Sequence, residues 1–280
     1  MRAANAFGGP WTEEKLGILE RYLDFYTTAL KKQAFKLLYI DAFAGSGEIQ
    51  ITGEDAEEAQ NFIIGSTHRA INITDKPFGK LIFVEKNKER YMELLSVRNE
   101  FPNRDIEVEN ADANSFLRDF TLDWKQWRGV LFLDPFATEI SWSTIKKIAD
   151  FNALDMWILF PTQAISRILP REQRPEDIEP RWMDRLDRIY GNDSWKALYR
   201  QNPQGDSFGH SGHQRDRGVE GLTSIYRSNL ESLFGNRFLQ KTRKLRNSKN
   251  AVLFEFLFCV GNERGKDLAS RVANYILDDL

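Results

Sequence analysis

Four acidic residues stand where short apolar runs end: Asp41 after Leu37–Ile40, Glu85 after Leu81–Val84, Asp112 after Asp105–Glu109, and Asp134 after Val130–Leu133. A carboxylate at the end of an apolar strand is costly to bury unless it is paired or used. The first is followed by a glycine pair, in Asp41-Ala42-Phe43-Ala44-Gly45-Ser46-Gly47. Glycines without a Cβ let a ligand approach the backbone, and a tight strand-to-helix turn would need them equally. Gln50 stands where a dinucleotide fingerprint needs its third glycine, and no Gly-Lys-Ser/Thr follows to cradle phosphates. Glu85 at the next strand end could accept both hydroxyls of a ribose, or be a solvated acid. The usual gap from the glycines is about 20 residues; here Gln50–Ile64 reads as an insertion that lengthens it. Asp112 could accept from an adenine amine or cap the following helix. Asp134-Pro135-Phe136 is the sharpest motif: a carboxylate, a fixed backbone and a flat apolar face, or else a turn opener beside a core ring.

The elements that must position these residues are five short apolar runs separated by helical stretches. The fifth run is Met156–Phe160, and helices are expected near Ser66–Ile73, Lys88–Val97, Ala113–Arg118 and Trp142–Asp150. Strands alternating with helices imply a parallel sheet, and runs apolar on successive residues imply strands buried on both faces. A helix over 12–31 precedes them, with Thr12 as its expected cap and Leu16, Leu19, Leu23, Tyr26 and Leu30 on one face. Thr162–Gly218 breaks the rhythm and carries no evident strand, only a short helix through Trp182, Leu186, Ile189 and Tyr190. A helix near Glu220–Phe234, strands near Phe238–Arg243 and Ala251–Val260, and a helix over Lys266–Leu277 complete the chain. The short Asn247–Asn250 connection makes the last strand pair antiparallel. The expected fold is one α/β domain with a mostly parallel seven-stranded sheet, an antiparallel last strand, and a helical insertion after the fifth strand.

Taken together, these motifs resemble a class I S-adenosylmethionine-dependent methyltransferase with its Rossmann-like sheet. More narrowly, Lys15-Leu-Gly-Ile-Leu-Glu-Arg-Tyr-Leu, Asp41-Ala-Phe-Ala-Gly-Ser-Gly, Phe83-Val-Glu and Leu133-Asp-Pro-Phe resemble the three-Cys-motif partner protein (TcmP) family. The resemblance implies S-adenosylmethionine as cofactor. Asp41, Phe43, Gly45 and Gly47 would then flank its methionine part, Glu85 its ribose and Asp112 its adenine. It assigns Asp134, Pro135 and Phe136 to catalysis, with Asp134 and the Pro135 carbonyl accepting from an amine nucleophile. Amino-directed methyltransferases carry Asp/Asn/Ser-Pro-Pro-aromatic at this place; here the second Pro is absent and Phe136 comes one residue early. The family name implies a partner protein bearing three cysteines.

The charge balance narrows the target. Lys+Arg is 39 against 41 acids, a net of −2, so a generally basic nucleic-acid coat is excluded while a local patch is not. Thr162–Gly218 holds nine Arg and one Lys against nine acids, with Trp182, Tyr190, Trp195 and Tyr199 as flat surfaces. It could recognise DNA or RNA, or be a salt-bridged subdomain around its own small core. Arg237–Lys249, with six bases and no acid, could track a phosphate backbone or guard a sheet edge. The lone Cys259 excludes an intrachain disulfide and a cysteine-based zinc site, and alternation places it in the core. His210 and His213 in a Gly-rich loop do not make a metal site. Ala251–Val260 is too short to span a membrane, no apolar signal core opens the chain, and a cytoplasmic setting is expected. Three functions remain: a methyltransferase acting on a nucleobase amine, a cofactor-binding partner subunit with little activity alone, and, against Gln50, a dehydrogenase-like protein.

Overall fold

The computed structural model describes residues 10–43, 65–73, 75–134, 140–169, 175–201, 213–215, 218–247 and 250–278. The chain opens with helix α1 (Pro10–Leu30), then strand β1 (Lys36–Phe43). Helix α2 follows, its described part covering 65–71. Next come β2 (Lys80–Glu85), α3 (Lys88–Glu100), β3 (Ile106–Glu109), α4 (Ala113–Asp119), β4 (Trp127–Leu133), α5 (Trp142–Phe151) and β5 (Leu154–Phe160). After β5 the chain forms α6 (Thr162–Ile168), α7 (Pro180–Tyr190), the short strands β6 (Tyr199–Gln201) and β7 (His213–Arg215), and α8 (Gly218–Phe234). It ends in β8 (Arg243–Arg246), β9 (Val252–Cys259) and α9 (Lys266–Asp278).

Seven strands form one sheet in the order β3-β2-β1-β4-β5-β9-β8. The first five strands are mutually parallel and β9 runs against both its neighbours, as the short hairpin connection requires. The strand order reverses between β1 and β4, which start their crossovers to opposite sides; this is where open α/β sheets take ligands. All seven residues of β5 are buried, so the continuous apolar run does mark a strand covered on both faces. Residue parity divides the core. Leu38, Ile40, Leu131 and Leu133 pack with α4, α5, α6, α7 and α8, while Tyr39, Val130 and Phe132 pack with α1, α2, α3 and α9.

Three expectations need correction. The first helix begins at Pro10, so Thr12 is inside it rather than at its cap; proline suits a first helical position because its missing N–H has no partner there. The segment Thr162–Gly218 does contain strands: β6 and β7 pair antiparallel in a separate two-stranded ribbon. The sixth sheet strand is Arg243–Arg246, not Phe238–Arg243. Phe238 makes only an isolated bridge to Cys259, and ladder pairing resumes at Arg243 opposite Phe256. Between these points the chain bulges away from β9, so the apolar pair Phe238-Leu239 is buried without being in the strand.

Candidate active site at the carboxyl edge of the sheet

Strand alternation brings Asp41 and Asp134 to the same side of the sheet as α1. Asp41 falls two residues after Tyr39 on β1, and Asp134 two after Phe132 on β4. Asp41 is fully buried. Its Oδ2 accepts from the Ser66 hydroxyl at 2.8 Å and from the Tyr39 hydroxyl at 3.1 Å. Its Oδ1 has no hydrogen-bond partner among the described residues. Burial drives the Asp41 carboxyl well above the usual carboxylate range, and the negative Asp134 pushes the same way; Ser66, Tyr39 and the Lys15 ammonium oppose.

Asp134 does not stand alone at the end of its strand. Lys15 of α1 reaches across to its Oδ2 at 2.9 Å, and both side chains are almost wholly buried, 2% and 6% exposed. The ammonium also lies 5.9 Å from the Phe254 ring centre. A buried ion pair offsets much of the desolvation cost of each partner, and removal of one partner leaves the other uncompensated. Lys15 is the residue that pattern reading passed over. The signal was present: Lys15, Ile18, Leu19, Tyr22 and Tyr26 fall on one helical stripe, and all five are buried. A lysine on such a stripe needs a carboxylate opposite it.

Glu85 ends β2 directly beside β1, in register with Phe43. It is fully buried; its Oε1 accepts from the Asn87 backbone N–H at 2.7 Å, while its Oε2 has no partner among the described residues. Burial raises its carboxyl above the usual range, partly opposed by the Asn87 N–H and by Arg90. Asn110 clamps this edge by donating to the Glu85 carbonyl at 2.8 Å and the Lys86 carbonyl at 3.1 Å. Asp112 is the N-cap of α4: its Oδ1 accepts from the Ser115 N–H at 3.1 Å, and Lys86 Nζ lies 3.8 Å from its Oδ2. The capping role expected of Asp112 is thus observed, and a capping side chain can also accept from an adenine amine.

Asp41 Oδ1 and Glu85 Oε2 are therefore two buried acceptor atoms without donors, at the carboxyl ends of adjacent parallel strands. Each leaves a desolvation cost that a donor-bearing ligand at this edge would relieve. A hydroxyl-rich, cationic cofactor such as S-adenosylmethionine meets that demand, so the residues present fit the group. Gly45, Gly47, Pro135, Phe136, His210 and the insertion Gln50–Ile64 lie outside the described residues, as does the Phe43 side chain. Among the described residues, no group of three metal-ligating side chains converges, and no helix is long and apolar enough to cross a membrane.

Of the four aromatic residues that could serve either as flat surfaces for a target or as an interior core, three take the interior place. Tyr190 is buried and donates its hydroxyl to the Leu222 carbonyl, and Trp195 is buried and donates Nε1 to Asp187. Tyr199 is also buried, which leaves Trp182 as the half-buried member of the four. The bases of the 237–249 stretch are largely committed: Arg243 pairs with Glu14, Lys244 with Glu220 and Lys241 with Asp278. β8, which carries two of them, is an edge strand, so the edge-guarding role fits better than backbone tracking.

No family model and no curated protein matches the chain. Several solved structures are similar in fold. A Legionella pneumophila protein of family DUF519 aligns at 13% identity over 94% of this chain and 89% of its own, with a TM-score of 0.49. An S-adenosylmethionine-dependent methyltransferase from Clostridium acetobutylicum aligns at 10% identity over 86% and 92%, at 0.34. Coclaurine N-methyltransferase, solved with N-methylheliamine and SAH, aligns at 11% identity over 85% and 71%, at 0.32. Likenesses this distant carry no argument about chemistry, and the narrower TcmP resemblance rests on the sequence stretches alone.

Proposed function

We propose that this chain is an S-adenosylmethionine-dependent methyltransferase acting on an amino group of a nucleobase in nucleic acid. The carrying observation is the pair of buried carboxylate oxygens, one on Asp41 and one on Glu85, at neighbouring strand ends and without a donor among the described residues. When bound, the cofactor supplies an activated methyl on a sulfonium, so the protein has mainly to position and desolvate. Glu85 would hold the ribose hydroxyls through Oε2, Asp41 the methionine part through Oδ1, and Asp112 the adenine. Asp134 would accept from the amine nucleophile through the oxygen not bonded to Lys15 and so orient its nitrogen lone pair. Lys15 is a positioning residue that fixes the carboxylate's orientation.

The test is calorimetry with S-adenosylhomocysteine together with transfer of labelled methyl to bulk DNA and RNA. Glu85→Ala should lose about 1.5–3 kcal/mol of binding, one charge-assisted hydrogen bond's worth. Unchanged affinity in that variant removes the cofactor assignment. The Lys15–Asp134 pair favours a second reading, because a carboxylate already held by an ammonium can be purely structural. The chain would then be a cofactor-binding subunit of a three-cysteine-motif protein. That reading expects S-adenosylhomocysteine to bind, and no methyl transfer until the partner is added.

A further inference from the structure

A cleft of about 960 Å³ runs between α4, α5 and α7, and its chemistry is not that of the buried carboxylates. Six cations line it: Lys86, Arg118, Lys146, Arg181, Arg185 and Arg188. Its acids are Asp112, Asp184 and Asp187, and two of these are engaged, Asp112 as the α4 cap and Asp187 by the Trp195 indole at 2.6 Å. Lys146 and Arg188 are exposed and make no ion pair with any described residue, and Arg118 donates only to the Ser115 hydroxyl at 3.2 Å. Lys86 lies 3.8 Å from Asp112 and Arg181 3.0 Å from Glu179, so the cleft's excess of positive charge rests on Arg118, Lys146 and Arg188, in a chain of net charge −2. Two half-buried indoles, Trp142 and Trp182, add flat apolar wall, with the Arg181 guanidinium 4.9 Å from the Trp182 ring centre. Lys86 directly follows Glu85, so the cleft opens at the sheet edge where the Asp41 and Glu85 carboxyls lie.

We propose that this cleft binds single-stranded nucleic acid, its phosphates on Arg118, Lys146 and Arg188 and its bases along the tryptophan wall. The proposal deepens the reading of nucleic acid as methyl acceptor and rests on it for the reaction, though not for the binding. A groove with cations along one run and aromatic faces beside it is what a flexible polyanion with π-faces requires, without sequence readout. A duplex is disfavoured because its bases are not available to the indoles.

The experiment is fluorescence anisotropy with labelled oligouridylate and oligothymidylate across a salt series, for wild type and for the combined variant Arg118→Ala, Lys146→Ala, Arg188→Ala. All three side chains are exposed, so the fold should survive, and a melting curve confirms it. Removal of three phosphate contacts should weaken binding by about tenfold or more and reduce the salt slope by roughly two. Trp182→Phe should retain binding that Trp182→Ala weakens. Wild-type affinity and slope in the triple variant overturn the proposal, as does equal competition by polyglutamate, which would assign an acidic peptide. Calorimetry with S-adenosylhomocysteine on the same samples separates the readings: loss of oligonucleotide binding with cofactor affinity intact belongs to the cleft alone, and failure of wild type to bind the cofactor belongs to the methyltransferase reading alone.

Discussion

Lys15 and Asp134 decide how the site is built, because each sets a buried charge against the other at 2.9 Å. Lys15→Met should destabilise the fold by about 3–5 kcal/mol, since it leaves Asp134 buried and unpaired. Adding Asp134→Asn to Lys15→Met should restore much of that loss; a urea melt of the single and double variants checks it. If Lys15→Met alone is harmless, the pair is not the structural tie its burial indicates. At this scale the sequence was legible where a residue type is odd for its place: Asp41, Glu85 and Asp134 end apolar runs and are buried there. For Lys15 only half was legible: its place on the apolar stripe calls for a carboxylate, but nothing local says which, and Asp134 is 119 residues away. For Tyr190 and Trp195 the sequence left two readings open, a surface for a target or an interior core, and the interior one is observed. Their polar atoms find partners inside the protein, which no local pattern announces.

Among the elements, helices and central strands were readable because their apolar period is local, and the break between Phe238 and Arg243 was not. Nothing in that stretch marks which residues bulge; the choice is made by pairing with β9. The turn ending α7 shows how tightly elements fit. Gly191 is left-handed, with φ of 78°, and a Cβ there would collide with the Trp142 indole at the start of α5. Gly191→Ala should therefore cost about 2–4 kcal/mol, the left-handed penalty plus overpacking, read as a lower Tm. Because both residues line the cationic cleft, the same variant should also weaken oligonucleotide binding. A Tm equal to wild type would mean that α7 shifts freely on α5.

Across the whole molecule, burial has raised the carboxyls of Asp41, Glu85 and Asp155, and this sets a pH dependence. Asp155 ties α1 to the sheet: it accepts from the Tyr22 hydroxyl at 2.6 Å and the Gly261 N–H at 2.7 Å, and burial, the larger effect, pushes it up to about 6. A folded-state value above the unfolded 3.8 means the native state holds the proton more tightly. The stability that this group adds is therefore fully present below about pH 4 and lost as pH rises through about 6. From pH 7.5 down to 5 it should contribute about 1.4 kcal/mol, or a Tm gain of a few degrees relative to Asp155→Asn. Identical pH profiles for the two proteins would refute the assignment. The ties of α1 also have a consequence in time. Lys15 waits for Asp134, Tyr22 for Asp155 and Glu14 for Arg243, and α1 packs against α9, the last helix described. A ribosome adding about 5–20 residues per second would leave this first helix without its tertiary seat for roughly 10–50 seconds. During that interval its apolar stripe is solvent-facing, so the nascent chain is a client for whatever shields exposed helices at the tunnel exit, and α1 takes its full seat only once α9 has been made.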